Sequence, residues 1–474
     1  MIFSSLEFLC IFFPVVFLLY CLTPGIRLKN ALLIVASLLF YAYGEPKFVL
    51  LMIFSAAFNY LFARMIGAFS YKKMLLSLAL LLNLGLLVYF KYAVFLIESW
   101  YGFFGGKGTV PVIELPIGIS FFTFQALSYV LDVYYGRIEV QKSFWKVLLY
   151  ISFFPQLIAG PIVKYREIEK ALASRSMNLR QITEGTRRFI CGLGKKVLIA
   201  NTVGQVADAV FQAQTADIGM ITAWIGAVAY MLQIYYDFSG YSDMAIGLGK
   251  MFGFQFLENF HYPYGAANIK EFWRRWHISL STWFKEYLYI PLGGNRRGKL
   301  RTGFHKLTVF FCTGLWHGAN WTFILWGLYH GFFSVLEERL PFFNKIPKLI
   351  TWLYTMLVVC VGFVMFRADN VSQGIYLIGQ MFAGNSLDSH SLSFTVSQLT
   401  PWFLAMLLVG LIGMAPIRPL TEWVQALVNR EGGQKGWQSG IVQIVLSIAS
   451  LLLLAWCMIR LSGNAYNPFI YFRF

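Results

Sequence analysis

Long apolar runs separated by short polar turns dominate the chain, and their lengths set its architecture. The first covers residues 6–22 and stops at Thr23-Pro24-Gly25, a turn-forming triplet that ends a helix. Further runs at 31–43, 48–66 and 74–97 are separated by Gly44-Glu45-Pro46 and by a stretch holding Arg64, Lys72 and Lys73. Runs of about 20 residues span the ~30 Å hydrocarbon core of a bilayer as helices, so these segments are predicted to be membrane helices. Their apolar positions are continuous rather than alternating, which excludes a membrane β-barrel. Arg27 and Lys29 mark one turn as cytoplasmic, and Arg64, Lys72 and Lys73 mark another, leaving the N-terminus outside. The loop from Glu98 to Val112 contains Lys107 as its one basic residue and fits the outer side.

From Glu114 the pattern changes. Apolar segments between 115 and 165 are interrupted by Pro116, Gly118, Pro155, Gly160 and Pro161, with Asp132 and Gln156 among them. Broken backbone facing lipid leaves amides unpaired, so these segments are predicted to be re-entrant or to line a protein-walled cavity. Residues 176–202 mix Arg187, Arg188, Lys195 and Lys196 with helically spaced apolar positions and read as an amphipathic helix on the cytoplasmic interface. Spans follow at 218–236, 319–336, 348–366, 402–414 and 439–460, with 367–398 expected to be a polar re-entrant or external loop. The whole chain reads as one all-α polytopic membrane domain. N-terminal helices occupy 1–113, a central core 114–340, and C-terminal helices with an aromatic tail 341–474.

Composition supports this picture. Hydrophobic residues make up 58% and charged residues 13%, against about 25% charged in soluble domains. The net charge of +17 lies in short loops, as a positive-inside bias requires, and does not suggest nucleic acid as a partner. Six cysteines are scattered without a paired motif and imply neither a disulfide frame nor a zinc site. No cleavable signal is expected at the N-terminus, and no metal or bound-cofactor pattern stands out.

His317 lies in CTGLWHGANW, between Gly314, Trp316, Gly318 and Trp321. An imidazole at membrane depth needs a partner or a task, and neighbouring glycines admit a ligand or another backbone. It is either a base for a hydroxyl or a packing histidine bonded to a carbonyl. His277, in EFWRRWHISLSTWF, is expected on a helix beside Ser281, with Trp273, Trp276, Leu280 and Phe284 on one side. Arg274, Arg275 and Lys285 would meet phosphates or headgroups, so the segment is either a polar cavity mouth or an interfacial anchor. The basic loop from Arg296 to Lys306 serves topology or docks an anionic cosubstrate. His305 within it reads as solvated, and His261, His330 and His390 read as structural. Asp132, Asp237 and Asp243 are expected either to be ion-paired or to face a cavity.

Five ordered strings carry a resemblance: LPIGISFFTFQALSYVLDVYYG (115–136), FFPQLIAGPIVKY (153–165), YYDFSGYSDMAIGLGKMFGF (235–254), NIKEFWRRWHISLSTWFKEYLYIPLGGNRRG (268–298) and TGLWHGANWTFILWGLYHG (313–331). Together they resemble the membrane-bound O-acyltransferase family, closest to its alginate O-acetylation branch and related to the branch that D-alanylates teichoic acid. The resemblance implies a bundle of roughly eleven transmembrane helices with re-entrant helices around a central tunnel, in the cytoplasmic (inner) membrane. It implies His317 as the catalytic histidine and His277 as a second tunnel residue. Ser281, Asn320, Trp316, Arg274 and Arg275 are candidate substrate contacts. It further implies acetyl-CoA or a similar acyl donor as substrate, an extracytoplasmic acetyltransferase- or esterase-like partner, and a polysaccharide acceptor. The tail FIYFRF resembles the aromatic motif of a small membrane partner in the teichoic acid system and makes Tyr471 a candidate acyl relay, with an interfacial anchor as the alternative. A transporter or flippase for a glycan or lipid precursor, using Asp132, Asp237 and Asp243, is the competing class. A scaffold that only recruits an acyltransferase is a third.

Overall fold

Hydrocarbon forces backbone amides to pair within their own segment, and the apolar runs accordingly become helices. A computed structural model describes residues 1–106, 108–158, 160–296, 298–340, 343, 345–384, 389–414, 436–463 and 466–470, and every long regular element among them is helical. The N-terminal helices are α1 (Phe13–Leu22), α2 (Ile26–Gly44), α3 (Val49–Ala68), α4 (Lys72–Leu87) and α5 (Ala93–Phe104); one π-helical turn, Val88–Tyr92, joins the last two. The centre contains α6 (Ile119–Tyr134), α7 (Phe144–Ser152), α8 (Phe154–Leu157), α9 (Tyr165–Ala173), α10 (Leu179–Gly194), α11 (Asn201–Gln212) and α12 (Met220–Met251). Two short helices, α13 (Ile269–Arg275) and α14 (Ile278–Phe284), precede α15 (Lys299–His317) and α16 (Trp321–Arg339). The remainder are α17 (Lys348–Arg367), α18 (Val371–Ala383), α19 (Ser389–Gln398), α20 (Pro401–Gly413) and α21 (Gly436–Gly463).

Five segments among the described residues are long and apolar enough to cross a membrane: Ile26–Gly44, Val49–Ala68, Lys72–Phe104, Lys348–Arg367 and Val442–Gly463. A sixth candidate, α19 with α20, is bent by 76° at Pro401. The stretch 367–398 is therefore mostly helical rather than the polar loop its composition suggests.

The centre departs from the sequence expectation in two further ways. First, α12 does not stop near 236 but continues through Asp237 and Asp243 to Met251. Secondly, the amphipathic stretch turns one face onto another helix. It packs closely on α12, where a Cβ on Gly192 would stand 2.5 Å from the Gly240 carbonyl and one on Gly185 2.7 Å from that of Gly247. Its basic residues are consumed inside the protein. Lys195 and Arg188 both reach Asp243, at 2.6 and 2.8 Å, and buried Lys196 pairs with buried Asp237 at 2.6 Å. Asp132 accepts from Tyr287 at 2.8 Å and pairs with Arg137 at 3.1 Å. All three intramembrane carboxylates are ion-paired, which removes the main support for a transport pathway built on them. Broken backbone at 153–158 and 160–163 is buried in protein, as the interrupted pattern predicts; the Phe154 amide donates to Ser37 Oγ at 3.1 Å.

Candidate active site

His317 is the last residue of α15, and Gly318 leaves the helix in extended conformation. Its position depends on glycine packing between α15 and α16. A Cβ on Gly314 would lie 2.3 Å from the Phe323 carbonyl, and one on Gly327 2.3 Å from that of Phe310. Gly314 therefore serves the approach of a neighbouring backbone. The imidazole sits among Trp316, Trp326 and Phe366, with ring centroids at 5.1, 5.1 and 5.2 Å, and His277 at 6.3 Å.

The end of a helix leaves carbonyls without intrahelical partners, and here a lysine takes them. Lys91, from the π-helical turn between α4 and α5, donates from Nζ to the carbonyls of Trp316 (2.7 Å) and His317 (3.2 Å) and to Ser120 Oγ (3.2 Å). Its three N–H groups thus meet three acceptors, and its charge lies at the negative end of the α15 dipole. Tyr92 adds a hydrogen bond to the Leu315 carbonyl at 2.6 Å.

His277 is not within a continuous helix, as the Trp-rich spacing suggested. It falls at the break between α13 and α14 and adopts φ 45, ψ 55; among the described residues only Tyr262 shares a positive φ without being glycine. Such a conformation costs a residue with a Cβ roughly 1–2 kcal/mol. The ring is buried, edge-on to Phe238 at 4.6 Å, with Nδ1 3.2 Å from Asn259 Oδ1.

Three cavities lie around these side chains. One, of about 120 Å³, is lined by Lys91, Pro116, Ser120, Trp316 and His317 at the face that carries the 98–118 loop. A small second one is lined by Phe238, Trp276, His317, Trp326 and Ile470. A third, of about 420 Å³, follows α12 to the face that carries residues 252–262 and is lined by Arg188, Lys195, Asp243, Asn259 and Tyr262. His317 is common to the first two, and Asn259 joins the third to His277. No group of three or more His, Cys, Asp or Glu side chains able to hold a metal occurs among the described residues.

Other predicted residues are distributed differently. Trp316 is buried, 5.8 Å from the His277 ring, and lines the His317 cavity. Asn320 instead caps α16 through the Thr322 amide at 3.1 Å and donates to the Asp369 carbonyl at 2.9 Å. Arg275 pairs with Glu271, Arg274 is exposed, and neither they nor Ser281 line these three cavities. His305 is buried rather than solvated, 3.1 Å from the Gly294 carbonyl, while His390 is no isolated residue but lies 3.0 Å from Asp217. Tyr471 lies outside the described residues. The two residues just before it, Phe469 and Ile470, are buried. Phe469 stacks on Tyr241 at 4.6 Å, and the Ile470 amide donates to Asp237 at 2.9 Å.

Lys91, Asn259 and Ile470 are the residues the sequence reading passed over. A signal existed for Lys91, a lone charge inside an apolar run. Asn259 and Ile470 carry none, because their importance arises from contacts with distant segments.

Comparison with known proteins agrees with the motifs. Residues 65–368 match the model of the membrane-bound O-acyltransferase family. The chain is 38% identical to "Probable alginate O-acetylase AlgI" of Azotobacter vinelandii over 100% of both chains. It is 36% identical to the peptidoglycan O-acetyltransferase of Helicobacter pylori, covering 84% of this chain and 83% of that one. A more distant similarity, 29% identity over 53% of this chain and 68% of the other, links it to the teichoic acid D-alanyltransferase of Bacillus subtilis.

Proposed function

The chain belongs to the membrane-bound O-acyltransferase family, is a multi-pass membrane acyltransferase, and from that premise we propose that it passes an acetyl group from a cytoplasmic donor to the outer face of the inner membrane for O-acetylation of a polysaccharide. The observation that carries this reading is the position of His317, which lines two separate cavities, with the neighbouring His277 bonded to Asn259 of a third. On the sidedness of the positive-inside pattern, the Arg188–Lys195 cavity opens inward and the Lys91 cavity outward. Arg188 and Lys195 in the inner cavity are paired with Asp243 and Glu258, and in this reading they exchange those partners for the phosphates of acetyl-CoA. In this reading roughly eleven spans and re-entrant helices enclose one tunnel.

His317 removes the proton from the accepting hydroxyl as its oxygen attacks the thioester carbonyl and returns it to the CoA sulfur as the C–S bond breaks, and His277 borders the same reacting centre. Burial of both rings among aromatic side chains excludes water, so polar contacts there are stronger than in solvent. The acceptor next in line is either a group on an extracytoplasmic esterase-like partner or Tyr471, one residue beyond Ile470 on the tail. Similarity to alginate and peptidoglycan O-acetyltransferases supports a glycan as final acceptor.

The direct test is turnover of acetyl-CoA by protein in nanodiscs. His317→Ala is expected to lower CoA release by about 100-fold or more, the size of a lost general base, with unchanged insertion. Wild-type release in the mutant would contradict the assignment. Tyr471→Phe is expected to abolish labelling of the chain by radiolabelled acetyl-CoA if the tail is the relay; full labelling excludes it.

A further inference from the structure

Asn259 is wholly buried and holds both sides of the strained turn at His277. Its backbone carbonyl accepts from the Ile278 amide at 3.0 Å. Its side-chain Oδ1 accepts from the Ser279 amide at 3.1 Å and from Ser279 Oγ at 2.9 Å, while Nδ2 donates to Ser242 Oγ at 3.2 Å. A backbone amide has only a hydrogen to give, so the atom facing Ser279 N must be the oxygen, which fixes the orientation of the Asn259 amide group.

That orientation determines where His277 carries its proton. The same Oδ1 lies 3.2 Å from His277 Nδ1, and a carbonyl oxygen only accepts. The one competing partner is Ser279 Oγ, farther away at 3.5 Å. Its hydrogen is directed to Asn259 Oδ1, and it accepts from the Ile162 amide at 3.0 Å. In the neutral ring the proton therefore sits on Nδ1 and the lone pair on Nε2. Nε2 is buried and has no hydrogen-bond partner among the described residues.

We propose that Asn259 is a positioning residue that fixes His277 in the Nδ1–H tautomer, so that Nε2 enters the reaction as a proton acceptor and not as a hydrogen-bond donor to the thioester oxygen. The inference rests on the acyl-transfer reading of this site. It narrows the ligand group received by His277 Nε2 to one bearing a hydrogen, a hydroxyl or a thiol. Because Asn259 also lines the inner cavity, it links donor entry to the state of that ring.

Solid-state ¹⁵N NMR of histidine-labelled protein in bilayers tests this without requiring turnover, with His277→Gln identifying the resonances. The expected result is a single neutral Nδ1–H form in the wild type that is lost in Asn259→Ala and kept in Asn259→Asp, which retains an acceptor. Turnover of acetyl-CoA should follow, with kcat of Asn259→Ala down roughly ten-fold or more and KM little changed. An Nε2–H form in the wild type, or a tautomer unaltered in Asn259→Ala, overturns the proposal even where Asn259→Ala is poorly active. A wild type with the expected tautomer but no acetyl-CoA turnover supports the lock and counts instead against the acyl-transfer reading.

Discussion

A lysine ammonium at membrane depth is tolerable only when its donors are occupied, and Lys91 meets that condition with the carbonyls of Trp316 and His317 and the hydroxyl of Ser120. It fixes the end of the helix on which His317 stands. Lys91→Met keeps the apolar stem but orphans those acceptors, at about 1–3 kcal/mol for each buried group left unpaired. The expected outcome is normal membrane insertion, an unchanged KM for acetyl-CoA and a kcat at least about ten-fold lower. Unchanged kcat would mean the helix end holds its geometry without the lysine. The two histidines were legible in the sequence because glycine and tryptophan surround them and ordered motifs carry them. Their supports were not legible, since Lys91 and His317 are 226 residues apart and meet only in the fold.

Helices are placed here mainly by glycine. α10 and α12 come together where Gly192 faces Gly240 and Gly185 faces Gly247, which lets two backbones approach as small residues do in membranes. Gly192→Val would drive a side chain into the Gly240 carbonyl, whereas a Cβ at Gly85 meets nothing within 4 Å. Thermal unfolding in detergent should therefore show a large loss of stability for Gly192→Val and little change for Gly85→Ala. Equal midpoints would contradict close packing. Apolar run length located the spans well, yet it could not place the break between α13 and α14. No proline or glycine marks it, and the left-handed turn at His277 is held by Asn259, which bonds the His277 ring and the Ser279 amide from outside the local sequence. Amphipathic spacing in 176–202 likewise could not show that its cations pair with carboxylates of α12, because those partners lie far along the chain.

For the molecule as a whole, the C-terminal tail ties the last helix to the centre. Pro468 accepts from Lys196, which pairs with Asp237, and Asp237 holds the Ile470 amide beside the His317 cavity. Removing one member of a buried ion pair costs about 3–5 kcal/mol. Asp237→Ala should thus release the tail, seen as faster carboxypeptidase digestion, while Asp237→Asn keeps an acceptor for Ile470 and should be cut more slowly than Asp237→Ala. The same centre lies between the cavity lined by the Arg188–Asp243–Lys195 ion pairs and the one lined by Lys91, and the proposed transfer runs across the membrane and is not chemistry on one face. The most direct measurement uses sealed, uniformly oriented proteoliposomes with radiolabelled acetyl-CoA confined to the face bearing Arg188 and Lys195, and an added polysaccharide with the partner on the other face. Label reaching the far-side polymer in the wild type and absent with His317→Ala is the predicted result. Label confined to the donor side with the wild type, or crossing equally with His317→Ala, would contradict the account.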